Sequence, residues 1–240
     1  MNIGDTYQQA TKYARSSTPG GSEGLRMPEP YKRYPETHQR VVLPAPGRTG
    51  GQSVFDLLSR RRSVRRYDAK ELTLAELSQM LWAGQGISRD TGRHMFRTAP
   101  SAGALYPIET YVLVNRVNGL TSGIYHYEIP RHRLCLVRTG NFGGELAHAA
   151  LGQQMVADAP CTFIWSAVTA RSKWKYGERA YRYMYMDAGH IAQNTALAAV
   201  SLEMGSCQIA AFFDDEINAM IGLDGKEETV IYLTAAGRPA

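Results

Sequence analysis

Residues 109–138, "ETYVLVNRVNGLTSGIYHYEIPRHRLCLVR", decide the fold. The opening "ETYVLVNR" is a short apolar run, as a buried strand requires. "VNG" then marks a turn, and "GIYHYEI" and "HRLCLVR" alternate apolar and polar residues. Such a pattern builds a hairpin or meander, and neighbouring strands joined this way must run antiparallel. Farther along the chain, "CTFIWSAV" (161–168) and "TVIYLTAAG" (229–237) read as two more strands. A doubly wound parallel sheet is thereby disfavoured, and neither GxGxxG nor GxxxxGK[ST] occurs. The expected class is α+β: a mixed, mostly antiparallel central sheet flanked by helices.

Helices punctuate the strands. "SVFD" (53–56) and "TLAE" (73–76) read as capping boxes opening two helices. Leu74, Leu77, Met80 and Leu81 follow at helical spacing, and Gly84 and Gly86 stop that helix. "ELAHAALGQQMV" (145–156) reads as one amphipathic helix, residues 178–204 as the longest, and "DDEINAMIG" (214–222) as a short one. Residues 1–52 carry six of the eleven prolines and little periodicity. They are expected to form an extended arm on the body or on a partner subunit, with a domain over 53–240. Tyr7, Tyr13, Tyr31, Tyr34 and "VVLP" supply its anchors.

Composition narrows the functions. The chain of 240 residues is 44% apolar, which suits one large domain. No run approaches 18 apolar residues, and the start lacks the apolar core of a secretory signal. Three distant cysteines argue for a reducing, cytoplasmic setting. The histidines show no metal-binding spacing, so no metal is expected. Residues 1–140 carry a net +9 and residues 141–240 a net −4.

Much of the positive charge sits in "LSRRRSVRRYD" (58–68), with five arginines in seven residues around Ser63. A nucleic-acid surface would repeat its cations over a face, with aromatics between them. This cluster is compact. Two or three guanidiniums and one hydroxyl in a single loop suit one phosphate. A second stretch, "RTAPSAGALYPIE" (97–109), puts small residues between Pro100 and Pro107, where a flat ligand can approach the backbone.

With "LWAGQG", "WKYGERAYRYMYMDAGHIAQN", "MGSCQIAAFFDDEINAMIGLDG" and the terminal "AAGRP", these blocks resemble the FMN-dependent nitroreductases, and within them the SagB-type azoline dehydrogenases. The match runs over about 53–239, with a looser echo in "YKRYP" and "VVLPAP". The resemblance implies a nitroreductase-like homodimer with FMN at the interface. Arg61, Arg62 and Ser63 would grip the flavin phosphate and ribityl chain, and Arg65 would lie near N1 and O2, where a cation stabilises the reduced anion. Pro100, Ser101, Ala102, Gly103 and Leu105 would reach the flavin of the other subunit. Gln208, Ile209, Ala210 and Ala211 would run along the isoalloxazine, with glycine usual where Ala211 stands. Arg238 would return to the phosphate.

In azoline dehydrogenases an adjacent Lys-Tyr pair serves turnover, and Lys175-Tyr176 match it. Aromatising a thiazoline or oxazoline removes a hydride, to the flavin, and a proton, to a base. A lysine beside other cations and partly desolvated has its pKa lowered toward neutrality and can take that proton. The substrate would be a peptide or a carrier-bound intermediate, with oxygen reoxidising the flavin. Two other functions compete: an NAD(P)H-dependent nitro or quinone reductase and, remotely, a nucleic-acid-binding module.

Overall fold

A computed structural model describes residues 2–15, 20, 21, 24 and 26–240. In chain order the elements are α1 (Ile3–Ala10), β1 (Arg40–Val42), α2 (Val54–Arg60), α3 (Leu74–Gln85), β2 (Ile87–Asp90), β3 (Met95–Arg97), β4 (Ile108–Val114), β5 (Gly123–Glu128), β6 (Arg133–Thr139), α4 (Gly143–Ala149), α5 (Met155–Asp158), β7 (Cys161–Val168), α6 (Ala170–Tyr176), α7 (Ala180–Ser201), β8 (Gly205–Ile209), α8 (Asp214–Ile221) and β9 (Glu228–Gly237). Seven strands form one sheet in the order β1-β6-β5-β4-β7-β9-β8, and β2 pairs with β3 in a separate hairpin. Every strand pair in the large sheet is antiparallel. The meander expected over 111–138 is β4-β5-β6, and the α+β architecture follows from it.

Helices cover both faces of the sheet, which explains why β4 is buried at every residue and β7 at all but its last, instead of alternating. Val112, Val114, Phe163 and Trp165 pack with Leu77, Met80, Met184 and Ile191 of α3 and α7. Tyr111, Leu113, Ile164 and Leu233 point the other way, toward Leu146, Met155, Ile217 and Met220 of α4, α5 and α8. Close approach of α3 to α7 depends on Gly84, where a Cβ would meet Thr195 Oγ1 at 2.7 Å. Thr73 and Glu76 form the reciprocal capping box that starts α3. At α2 the box is one-sided: Ser53 Oγ accepts from Asp56 N at 3.2 Å.

Four local readings change. The single helix expected over 145–156 is two, because Leu151 (φ 58°) and Gly152 (φ 74°) both turn left-handed and break it. The long helix expected over 178–204 is shorter at both ends, α7 running from Ala180 to Ser201. Gly177, at φ 53° and ψ −139°, separates it from α6 in a conformation only glycine adopts readily. Gly84 does not stop α3; the helix runs to Gln85, with Gly86 as its C-cap. The arm is not extended throughout, since it carries α1 and the edge strand β1, which pairs Arg40–Val42 with Arg133–Cys135.

The arm lies across the start of α7. Tyr7 Oη donates to Glu178 O and accepts from Arg182 N, and Arg179 and Arg182 both donate to Thr11. Farther on, Lys32 Nζ reaches Tyr111 and Glu228, and Arg171 Nε donates to Glu29 O. Among the described residues no helix is long and apolar enough to cross a membrane.

Candidate functional site

The arginine loop begins where α2 ends. Arg61 leaves the helix at φ −59° and ψ 125°, and the extended chain runs beside β8. Val64 N donates to Ser206 O at 2.9 Å, and Ser63 bridges Ser206. Gly205 makes the approach possible: a Cβ there would sit 2.4 Å from Val64 Cγ2. From the other side, Tyr67 Oη donates to Val64 O at 2.7 Å, and Asp68 N donates to Arg238 O at 3.0 Å. Helix end, strand and C-terminal segment thus hold one short loop, and the run 208–211 continues from the strand that braces it.

The charges on this loop divide into two kinds. Arg60 is paired with Glu203 at 2.7 Å and Asp56 at 3.3 Å. Among the described residues Arg61, Arg62, Arg65 and Arg66 make no ion pair and no side-chain hydrogen bond within the chain. Arg62, Ser63, Arg65 and Arg66 are exposed. Crowding like charges without a carboxylate costs free energy unless an anion offsets it. Guanidiniums with one hydroxyl between them suit a phosphate dianion. Beside the loop a cleft of about 200 Å³ runs between Arg62, Val64, Val200 and Gly205. The phosphate end of FMN fits this donor set. Arg238 stands apart. Its backbone borders the loop, but its guanidinium pairs with Glu76 and donates to Glu71 O.

The second group of expected residues gathers near the start of α7. Three residues in four have positive φ: Gly103 (63°), Ala104 (54°) and Tyr106 (49°). Left-handed backbone at a residue with a Cβ costs about 1–2 kcal/mol, and such strain concentrates at functional sites. Asp187 on α7 holds the turn, since its carboxylate accepts from Ser101 Oγ at 2.5 Å and Ala102 N at 3.3 Å. Ser101 Oγ in turn accepts from Tyr106 N at 2.9 Å. Burial pushes the Asp187 carboxyl up, while its bonds to Ser101 and Ala102 oppose the shift.

Lys175 and Tyr176 fold onto this turn. A Cβ on Gly103 would meet Tyr176 Oη at 2.5 Å and Lys175 Nζ at 2.8 Å. The Tyr176 ring is set edge-on against Tyr183, with centroids 4.8 Å apart. The arm crosses the end of α6: Gly21 lies against Trp174 O, and Gly20 O lies 3.1 Å from where a Cβ on Gly177 would be. One expectation is corrected. Lys175 is exposed, so its own chain does not supply the desolvation expected for it.

Sequence reading missed two residues here. Asp187, among the tyrosines of "YRYMYMD", anchors the turn, and an acid on the buried side of an otherwise apolar helix is the available signal. Arg97 is buried beneath the turn. It donates to Gln85 Oε1 at 2.6 Å, and the rings of Tyr106 and Tyr31 flank it at 4.6 and 5.5 Å. Behind it, Glu109 accepts from His126 and Arg171. Burial opposes ionisation of Glu109, but His126, Arg171 and Arg97 outweigh it and hold the carboxyl well below the usual range. Among the described residues no cluster is arranged to hold a metal ion.

The structure lays Arg61–Arg65 beside β8 at Gly205–Ser206, the strand from which the 208–211 run continues, and brings Lys175–Tyr176 to the 100–105 turn. It does not bring these two groups together. Asp187 marks one and Val200 the other, thirteen residues apart on α7. At 1.5 Å per residue that is about 20 Å.

Residues 58–238 match the family model described as the nitroreductase family. The nitroreductase homologue MJ1384 of Methanocaldococcus jannaschii is 42% identical over 183 residues, covering 76% of this chain and 89% of its own. The trifolitoxin operon protein TfxC of Rhizobium leguminosarum bv. trifolii is 26% identical over 237 residues, 91% of this chain and 65% of that one. A nitroreductase homologue from Anabaena variabilis of known crystal structure superposes with a TM-score of 0.79 at 31% identity, over 98% of this chain and 46% of that one.

Proposed function

The chain belongs to the nitroreductase family, and from that premise we propose that it is an FMN-dependent dehydrogenase that converts an azoline in a peptide or carrier-bound intermediate to the azole. The observation that carries this reading is the packing of Lys175 and Tyr176 onto Gly103. A reductase that takes hydride from a nicotinamide needs no protein base at the flavin, whereas aromatising an azoline does. TfxC, a toxin-operon protein, is the kind of relative such chemistry would have.

Bound FMN would supply a hydride acceptor, with its phosphate held by Arg61, Arg62 and Ser63 and its reduced form favoured by Arg65. Lys175 would remove the ring proton, and Tyr176 would orient the ring or relay that proton. Two electrons and two protons leave the substrate as one hydride and one proton, and oxygen is the proposed final acceptor.

The same reading includes a homodimer, with 1–52 as arm and 53–240 as flavin domain. The separation of the two groups along α7 supports it, because a second copy can bring one chain's loop to the other's turn. So does the exposed apolar surface. Helix α2 buries none of its residues and leaves Phe55 80% exposed, and Tyr185 on α7 is 58% exposed.

A visible spectrum of the purified protein is the first test, with flavin bands near one per chain expected. Anaerobic stopped-flow bleaching follows. Azoline probes should reduce the flavin of the parent protein, while Lys175→Ala should bind flavin normally and react roughly 10²–10⁴-fold more slowly. Lys175→Arg should fail almost as badly, because a guanidinium does not release its proton near neutral pH. Rapid bleaching by NAD(P)H that survives both changes would favour the reductase instead.

A further inference from the structure

The cleft beside Lys175 has a lining that the reaction does not require. It measures about 350 Å³ and lies between the arm at Met27–Tyr31, the β2-β3 hairpin and the strained turn at Ala104–Tyr106. Met95, Phe96, Leu105, Tyr31 and Trp174 give it an apolar, largely aromatic wall. Its charged lining residues are Arg93, Arg97 and Arg171, with His94 beside them, and among the described residues no carboxylate lines it. Arg171 is already committed to Glu109 and Glu29 O. Arg97 is not in an ion pair: among the described residues its guanidinium donates only to Gln85 Oε1 and Ile108 O, both neutral, its Nε has no partner, and Glu109 acts on it without a direct contact. A guanidinium only 6% exposed, with an unused donor in a cavity wall, is placed to receive an anion.

The cleft adjoins the reacting position on two sides. Trp174 in its wall precedes Lys175, and Ala104 follows Gly103, on which Lys175 and Tyr176 fold. We propose that this cleft selects the group next to the reacting ring, and that the preferred group is aromatic or large and apolar and is accompanied by a carboxylate. Placement of the cleft beside the reaction rests on the dehydrogenase reading; its ligand chemistry rests on its own walls. Phe96 and Trp174 would hold the apolar part. Arg97 and Arg93 would hold the carboxylate.

Calorimetric titration of the FMN-loaded protein with azole products tests this without turnover. The probes are 2-benzyl-, 2-methyl- and 2-aminomethyl-thiazole-4-carboxylate and the carboxamide of the benzyl compound. The benzyl acid should bind at least about tenfold tighter than the methyl acid, and about tenfold tighter than its own amide. Phe96→Ala should narrow the benzyl preference to less than about threefold and leave the acid preference intact. Arg93→Ala, on the exposed hairpin, should narrow the acid preference and leave the benzyl preference intact; Arg97→Lys should do the same if the protein remains folded. Equal binding of all probes, no binding of any, or preferences that survive Phe96→Ala and Arg93→Ala would overturn the proposal. The corresponding benzyl thiazoline separates it from the reaction. Selective azole binding with no anaerobic flavin reduction by the thiazoline would leave the cleft standing and sink the dehydrogenase reading.

Discussion

The two ends of α7 are built by opposite means. At its C-terminal end the arginine loop is held through its backbone, by Ser206 O and Arg238 O, and its guanidiniums are left free. At its N-terminal end the 100–106 turn is held through side chains, by Asp187 and Ser101, and its backbone is left strained and open around Gly103. A loop that must grip a charged group keeps its side chains available. A turn that must lie close to a flat group keeps its backbone bare. About 20 Å of helix lies between them, and in the proposed reading each end is one half of a site shared by two copies.

Subunit mixing gives the largest effect that could break this comparison. Arg62→Ala/Ser63→Ala on one chain and Lys175→Ala on the other should each abolish turnover as homodimers. In a purified heterodimer, one site would pair a sound loop with a sound Lys175. That mixture should recover roughly half the parental activity per dimer, following from two-fold symmetry. A heterodimer as dead as its parents would mean that loop and lysine serve a site within one chain.

The loop by itself should show the next largest effect. Each charge-assisted hydrogen bond lost is worth about 1.5–3 kcal/mol, so Arg62→Ala/Ser63→Ala should shed its flavin on dialysis while remaining a folded dimer. Arg60→Ala, which removes a paired arginine, should keep it. Flavin retained by the double variant, or lost equally by Arg60→Ala, would erase the distinction between paired and free arginines.

At the turn, Gly103→Ala should be milder for flavin and more damaging for rate. An alanine at φ 63° costs about 1–2 kcal/mol, and its Cβ would push Tyr176 and Lys175 aside. The expected outcome is a lower bleaching rate with azoline and flavin content near parental. An unchanged rate would mean that the contact with Lys175 carries no chemistry.

The contrast between the ends also explains what could be read from the sequence. The arginine loop is local, with Arg62, Ser63 and Arg65 within four positions, so composition and spacing expose it. The meander and the Thr73–Glu76 capping box are local too. The Asp187–Ser101 anchor joins residues 86 apart in sequence, and the packing of Arg97 against Tyr31 depends on the arm's path. No local pattern encodes either. Helix α1 buries no residue, so no core contact backs the Ile3–Tyr7–Ala10 spacing of its eight residues. The break between α4 and α5 rests on Leu151 taking a left-handed conformation that leucine rarely adopts, so sequence reading ran the helix through it.

The smallest expected effect isolates the anchor. Asp187 is buried and its carboxyl is pushed up, so the folded state binds its proton more tightly than the unfolded chain does. Stability contributed by that proton is present below the unfolded value, about 3.9, and is lost as pH rises toward the folded value. Asp187→Asn removes this titration and can still accept one hydrogen bond from the turn. The melting temperature of the variant minus that of the parent should therefore become more positive as pH rises above about 4, and then level off. Glu109 and the other titrating groups are common to both proteins and cancel in the difference. Differential scanning calorimetry of the two FMN-loaded proteins from about pH 3.5 to 7 checks it. A difference that stays flat with pH would show that Asp187 ionises as easily in the folded chain as in the unfolded one, and one that turns more negative as pH rises would show that it ionises more easily there. The turn at α7's start would then be anchored by a carboxylate that the fold does not disfavour, and its electrostatics would resemble those of the arginine loop at the other end.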